Sequence, residues 1–496
     1  MKIKKLLALI IACTMLLTIL AACGNGDTTP TPAPAIDGQT PDAPPGGDGT
    51  DEEDGGPPVF LPPDYVLPDA TPVARYTPDG RRIIRVASWF DRFFDSTHTA
   101  ITDDPGLTNP ETAQMELDRV RYVEEKYNVF IEFVNMTWEG IMENIPISIM
   151  SGIPDAEIYM VNPQFGIPAV LNGFATSLEE MGLSDHPIMS GESNVLTSLH
   201  IPGTDNTYLI QAAGFETSMY LMGFNLDMLQ AHGLEDPRDL WHRGEWTWER
   251  FREYAVAVTD SARNIYGWSG YWTNFLSSLL FSNNAAIAAG PVQTLDHPNT
   301  VEVLNFIDQL YNVDRVARPW NPDSWPINNN LFAEGLSGFF MANHWLLNEQ
   351  SGGFVGAVAS LPFEVGVVPF PVGPQGNAET MFTAGADGNF FFIPRFVENP
   401  RLVFDVFYDL MNWFDDDLYF RDDHEWAMNS FGTPENWAMY LEVYGRFGFD
   451  MWGDLGTGFS ILAMIEQTVE SPTYTPIQLV ETWRQVFQDA LDHFFR

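Results

Sequence analysis

IIRVASWFD (Ile83–Asp91), LDRVRYVEEKY (Leu117–Tyr127), VFIEFV (Val129–Val134) and AEIYMVNPQ (Ala156–Gln164) follow one another in an order that decides the fold. Ile83 to Ala87 is a short apolar, partly β-branched run and predicts a first strand, ending at Ser88-Trp89-Phe90-Asp91. Leu117, Val120, Val123 and Tyr127 recur at helical spacing, and Val129 to Val134 then alternates as a strand. A helix is expected over about 137 to 151, stopped by Gly152 and Pro154, before a third strand over Ala156 to Val161. Strand–helix–strand order with short joins gives right-handed parallel units, hence an α/β lobe. Ligands of such sheets sit beyond the carboxyl ends of the strands, where Trp89, Asp91, Asn162 and Gln164 fall.

The second half repeats this style. Thr247 can cap a helix whose apolar stripe is Trp248, Phe251, Ala255 and Val258. Helices are expected over about 274 to 289 and 300 to 313, and Val365 to Val368 reads as a buried strand ending at Pro369-Phe370-Pro371. A last helix opens at Thr475-Pro476 and carries Val480, Trp483, Phe487, Leu491 and Phe494 on one side. By spacing or neighbours, Trp246, Trp248, Trp413 and Trp483 are expected in cores. A folded part of about four hundred residues suggests two domains, and no internal repeat is visible.

The N-terminus reads differently. Lys2, Lys4 and Lys5 precede an apolar run from Leu6 to Leu20 that is too short to span a bilayer and suits a signal-peptide core. Leu20-Ala21-Ala22-Cys23 resembles the lipobox of bacterial lipoproteins, in which the peptidase cuts before the cysteine and its thiol takes the lipid, palmitate among its acyl chains. The resemblance implies a signal peptide over 1–22, lipidation of Cys23 and an anchor on the outer face of the cell membrane. Residues 24 to 80 hold thirteen prolines, nine glycines and the acidic run Asp51-Glu52-Glu53-Asp54. Such a stretch buries too little to offset its conformational entropy and stays extended, so 23–81 is expected to be a tether.

Composition removes several functions. With Cys13 in the cleaved segment and Cys23 lipidated, the fold keeps no cysteine for disulfides, iron–sulfur clusters or thiol catalysis. Loss of the three signal lysines takes the net charge from −43 to −46, which repels nucleic acid and anionic lipid surfaces. The plain reading of this charge is a solvated acidic surface; the sharper one is attraction of a cationic solute such as a polyamine. Asp415-Asp416-Asp417 and Asp422-Asp423 lack the spacing of a calcium loop, the histidines lack zinc-site spacing, and no phosphate-binding loop or Gly-x-Ser-x-Gly elbow exists. No cofactor and no metal are expected. Sixty-seven acidic residues leave a facing carboxylate pair open, so a surface glycoside hydrolase stays as an alternative.

Residues 82 to 494 resemble the extracellular solute-binding proteins, family 1, of ABC transporters. The resemblance rests on the order of several pieces. Gly223-Phe224-Asn225 with Gly233-Leu234-Glu235-Asp236-Pro237 is similar to the family's stretch after the first crossover. Glu245-Trp246-Thr247-Trp248-Glu249-Arg250-Phe251 resembles its Trp-Thr-Trp helix start, and Ile265-Tyr266-Gly267-Trp268 its following strand. Phe332-Ala333-Glu334-Gly335 leading to Met341-Ala342-Asn343-His344-Trp345 resembles the segment that ends in a ligand-facing tryptophan, and Val368-Pro369-Phe370-Pro371-Val372-Gly373-Pro374 the return crossover.

This resemblance implies two Rossmann-like lobes joined by a hinge, with the ligand cleft between them, in the manner of type II periplasmic binding proteins. It assigns 82–213 plus 372–412 to the N-terminal lobe and 214–371 plus 413–496 to the C-terminal lobe. It implies ligand contacts from Trp89, Asp91, Asn162 and Gln164 in the first lobe, and from Trp272 and Trp345 in the second. Glu216 and Asp387 lie near the crossovers, and Trp437 and Trp452 where some members place a third aromatic wall. His344 departs from the family, which commonly has a small residue before the tryptophan. Tryptophans with a few Asp, Asn and Gln suit a carbohydrate, whose C–H faces pack on rings while its hydroxyls bond amides and carboxylates. The expected protein is a monomer that closes on its solute and delivers it to an ABC permease, with no catalytic residue. A glycan sensor or adhesin without a transporter is the remaining alternative.

Overall fold

The computed structural model describes residues 66–91, 94–103, 109–214, 219–318, 331–343, 347, 361–384, 389–422, 424–448, 461–469 and 473–495. Cys23, Glu216, Trp345, Asp387 and Trp452 lie outside the described residues.

The first sheet is built from β1 (Arg82–Ser88), β2 (Val129–Asn135), β3 (Ile158–Val161), β4 (Leu196–Leu199) and β5 (Leu209–Ala212). The second holds β6 (Leu221–Asn225), β7 (Tyr266–Ser269), β8 (Ser337–Ala342) and β9 (Val365–Val368), after which β10 (Phe390–Phe392) rejoins the first. β1 runs parallel to β2, from Arg82 opposite Val129 to Ser88 opposite Asn135, and parallel to β3 with Val86 opposite Ile158. Between β1 and β2 the helix Pro110–Tyr127 starts because Asn109 accepts from the Glu111 and Thr112 amides and Pro110 needs no partner at the first position. Asn128 ends it in the left-handed conformation. Its buried stripe is Ala113, Leu117, Val120 and Val123, the spacing seen in the sequence.

The period of two divides β1 and β3 between two cores. Ile84, Val86, Ile158 and Met160 pack with the helices Pro110–Tyr127 and Pro400–Met411, while Ala87, Tyr159 and Val161 pack with Trp138–Met150 and Pro163–Leu171.

In each sheet the strand that has just crossed over runs against its parallel neighbours; in the first sheet β4 is also antiparallel, to β5 at the edge. β10 is antiparallel to β3 and to β5. β6 is antiparallel to β8 and β9, while β8 is parallel to β7. The chain therefore leaves the first sheet after β5, enters the second through β6, and returns through β10. Two α/β lobes follow, and the chain crosses a third time between Arg421, which bonds Asn194 in the first lobe, and Asn436, which bonds β9 in the second. The first two crossings touch: the Tyr220 amide donates to the Ala384 carbonyl at 2.9 Å, and the Thr383 hydroxyl donates to the Tyr220 carbonyl.

In the second lobe, Trp246 N–H donates to the Pro369 carbonyl at 3.0 Å, Thr247 bridges to Val372, and Trp248 Nε1 donates to Ser282. The two motif segments thus bind one another. Gly267 is required because a Cβ there would stand 2.4 Å from the Ala255 carbonyl oxygen, so helix Trp248–Val258 rests directly on β7.

Three boundaries differ from the sequence reading. The expected 274–289 helix spans Trp272–Ser282, because Asn283 ends it and Asn284 adopts a positive φ of 49°; Ala288–Ala289 then forms a short hairpin with Val292–Gln293. The ordered chain begins before residue 82: Val73 bridges to Val397, Arg75–Tyr76 pairs with β1, and Arg75 bonds the fully buried Glu157. Proline-rich composition hid this pairing. The first lobe also extends past residue 412, since Phe414 lies in its core and Arg421 donates to the Asn194 carbonyl.

Candidate ligand-binding site

Three adjacent parallel strands of the first lobe each deliver an aromatic ring just beyond their carboxyl ends. Trp89 follows β1, Trp138 follows β2, and Phe165 follows β3. Trp89 meets Trp138 edge-to-face at 5.4 Å and 81°, and Trp138 meets Phe165 at 4.5 Å and 61°. Phe90 adds a further edge contact to Trp89 at 5.9 Å. Trp89, Phe90 and Trp138 are half-buried and Phe165 is buried, so the group is anchored below and open above.

Local geometry fixes these rings. Thr137 caps the helix Trp138–Met150 by accepting from the Gly140 amide, and does so at φ 62° and ψ 168°. A β-branched residue in that region, which glycine otherwise occupies almost alone, is a strained point of the kind found at binding sites. Asn162, 4% exposed, caps the helix Pro163–Leu171 through a 3.1 Å bond from the Phe165 amide to its Oδ1. Gln164 is the second residue of the same helix. Asp91 is exposed beside Phe90. Trp89 and Asn162 thus share one cluster, to which the sequence reading did not assign Trp138 or Phe165.

The second lobe offers its own strand ends. Ser269, the last residue of β7, is 1% exposed and its buried hydroxyl has no hydrogen-bond partner among the described residues. Gly270 follows at φ 144°, where a Cβ would press on the Trp268 ring at 3.3 Å. Trp272 opens the next helix but is 6% exposed and belongs to the lobe's core. Asn343, buried, stands one residue past β8. Trp437 stacks on Tyr440 at 5.2 Å and 14°, with Phe431 beside it, on the helix Pro434–Val443.

Among the described residues no three His, Cys, Asp or Glu are grouped to hold a metal. In the acidic run Asp415 pairs with Arg119 and Asp417 caps the short helix Leu418–Arg421. The first-lobe site consists of aromatic rings and the Asn162 amide, with the exposed Asp91 carboxylate beside Phe90, chemistry that suits binding an amphipathic small molecule.

Lobes that exchange one antiparallel strand each, with aromatic and amide side chains at the parallel strand ends, define a two-lobed binding protein of the type II periplasmic class. The profile of the bacterial extracellular solute-binding proteins matches residues 104–406, more than half of the chain, and the chain belongs to that family. The fold is similar to an ABC substrate-binding protein of Listeria monocytogenes in complex with cycloalternan (TM-score 0.57, 14% identity, 83% of this chain and 98% of that one). It is similar to UgpB of Mycobacterium tuberculosis in complex with glycerophosphocholine (0.56, 16%, 83% and 99%). It is also similar to a maltose/maltodextrin-binding domain of Bdellovibrio bacteriovorus bound to maltotriose (0.53, 12%, 83% and 100%). A search of curated protein sequences finds no match. Members of this family bind solutes rather than transform them, and no described helix is long and apolar enough to cross a membrane.

Proposed function

We propose that this protein is a lipid-anchored receptor that captures a carbohydrate between its lobes and delivers it, as a monomer, to an ABC importer. The observation that carries this reading is the Trp89–Trp138–Phe165 cluster beside Asn162. Ring faces pack against sugar C–H surfaces, and neutral amides bond hydroxyls, so the cluster favours a polyhydroxylated solute over an ion. Two of the three similar structures hold oligosaccharides, which supports the class of cargo. Cys23 carries the lipid on this reading, and the proline-rich residues that follow hold the lobes away from the headgroups. Closure about the crossings that meet at Tyr220 and Ala384 would bury the solute on both sides, with Asn343 and, by the family resemblance, Trp345 on the second side.

The test is a thermal-shift screen against mono- and oligosaccharides, with polyamines and amino acids alongside. A ligand that binds only the folded state raises the melting temperature once it exceeds its Kd. One glycan family should give the shift, and Trp138→Ala should weaken that binding about tenfold, roughly 1.4 kcal/mol, without unfolding the protein. A shift from polyamines alone would overturn the reading in favour of a cationic solute. Conversion of the glycan during incubation would overturn it in favour of a hydrolase.

A further inference from the structure

We propose that Val59-Phe60-Leu61, at the end of the N-terminal segment, seats in an apolar groove on the first lobe and clips that segment to the fold. The groove lies between the helices Trp138–Met150 and Pro163–Leu171, a shallow, open apolar depression lined by Met142, Ile145, Pro146, Phe165, Pro168 and Phe174. Both helices carry an internal proline, Pro146 and Pro168, and both prolines line the groove.

The path of the chain leads there. Leu67 packs over Gly173 and Ala70 over Gly152, so the described chain crosses the carboxyl ends of these two helices as it begins. Asn172, next to Gly173, is itself part of the groove wall. The six residue-to-residue steps from Leu61 to Leu67 reach at most about 20 Å, enough to turn back into the groove and too few to reach far beyond it. Apart from Ile36 and Tyr65, Val59, Phe60 and Leu61 are the only large apolar residues between Cys23 and Val66. Pro62-Pro63 stiffens the link and lowers the entropy lost on seating. A covalently linked segment acts at a millimolar effective concentration, so even weak intrinsic affinity fills the groove.

Seating would place an apolar side chain behind Phe165, which touches Trp138 of the candidate ligand site. The proposal holds whether or not Cys23 is lipidated.

The fold has no cysteine of its own, which makes the test clean. In the full chain with Cys13→Ser and Cys23→Ser, Phe60→Cys is paired with Met142→Cys in the groove, or with Ile147→Cys, 68% exposed on the same helix but not part of the groove. Pro168→Cys serves as a second groove position, and unchanged melting temperatures confirm folding. Mild oxidation should close the intramolecular 60–142 or 60–168 disulfide at least tenfold faster than 60–147. Equal rates would overturn the proposal, as would predominant disulfide-linked dimers, which would make a second copy the occupant.

Discussion

Replacing Arg75 with alanine removes the counter-ion of a carboxylate that has no contact with water. Glu157 is 0% exposed; it accepts from Arg75 Nη1 at 2.8 Å and from the Arg85 amide at 2.8 Å. Arg75 also donates to the Pro154 carbonyl, so it ties the first ordered strand to the turn before β3. At 2.8 Å and an effective dielectric of about 20, the pair attracts with roughly 6 kcal/mol before desolvation is subtracted. Breaking such a pair from one side costs about 3–5 kcal/mol, because the remaining charge stays buried. Arg75 retains 22% exposure, which points to the lower part of that range. Urea unfolding followed by tryptophan fluorescence should show a lower midpoint with unchanged slope. Arg75→Ala with Glu157→Gln should recover part of the loss, since a neutral amide costs less to leave unpaired. A loss below about 1 kcal/mol, or a double variant no better than the single, would refute the reasoning.

Three further outcomes are expected. Thr137→Gly removes a strained backbone point at the loss of one cap bond, so stability should rise by about 1–2 kcal/mol while ligand affinity falls; a drop in the urea midpoint would contradict the assignment of strain. Asn162→Ala should cost about 1 kcal/mol through the lost cap on Phe165, and Asn162→Asp should restore it, both read by urea midpoints. The His186 ring is held below the ordinary histidine pKa by burial and then by the Arg401 charge, and its neutral Nδ1 accepts from the Ile188 amide. Below about pH 6.5 the unfolded chain binds a proton that the folded chain resists, so stability should fall as pH drops through that value. In His186→Asn, which can still cap, the decline between pH 7 and 5 should be shallower in unfolding curves; an identical slope would exclude His186 as its source.

Much of the first lobe was legible because its alternation is local. The strands Val129–Asn135 and Ile158–Val161 each pass into a helix within a few residues, and the helix Pro110–Tyr127 passes straight into Val129–Asn135, so the 2-to-3.6 change of period marks these joints; only the connection from Ser88 to Pro110 is long. β10 was not legible in that way. Its neighbours β3 and β5 lie far upstream, and three consecutive phenylalanines declare a buried strand without declaring a partner. The Glu245–Phe251 and Val368–Pro374 segments could be recognised singly, yet their relation, Trp246 to Pro369 and Thr247 to Val372, is a contact across more than a hundred residues. The junction at Arg75 was missed for another reason. Composition describes an average over a segment, and two paired residues with one buried salt bridge do not alter it.

A strand-end rule locates the rings that stand at the crevice of the first lobe. Applied to β1 it finds Trp89, and applied with the same strictness to β2 it would have found Trp138. Reading Thr137 only as a helix start concealed that this helix begins at the carboxyl end of a parallel strand. The first residues of such helices differ from those that follow, because they stand at the crevice while later turns descend along the sheet. Trp138, Phe165 and Trp272 all occupy a first turn in this sense. Yet Trp272 is packed into its lobe, whereas Trp138 is half open. Strand-end position therefore selects which rings stand at the crevice, and packing decides which stay accessible. In the first lobe the rings meet edge to face, so the buried Phe165 holds Trp138 and Trp138 holds Trp89 by contacts that leave both tryptophans half-exposed.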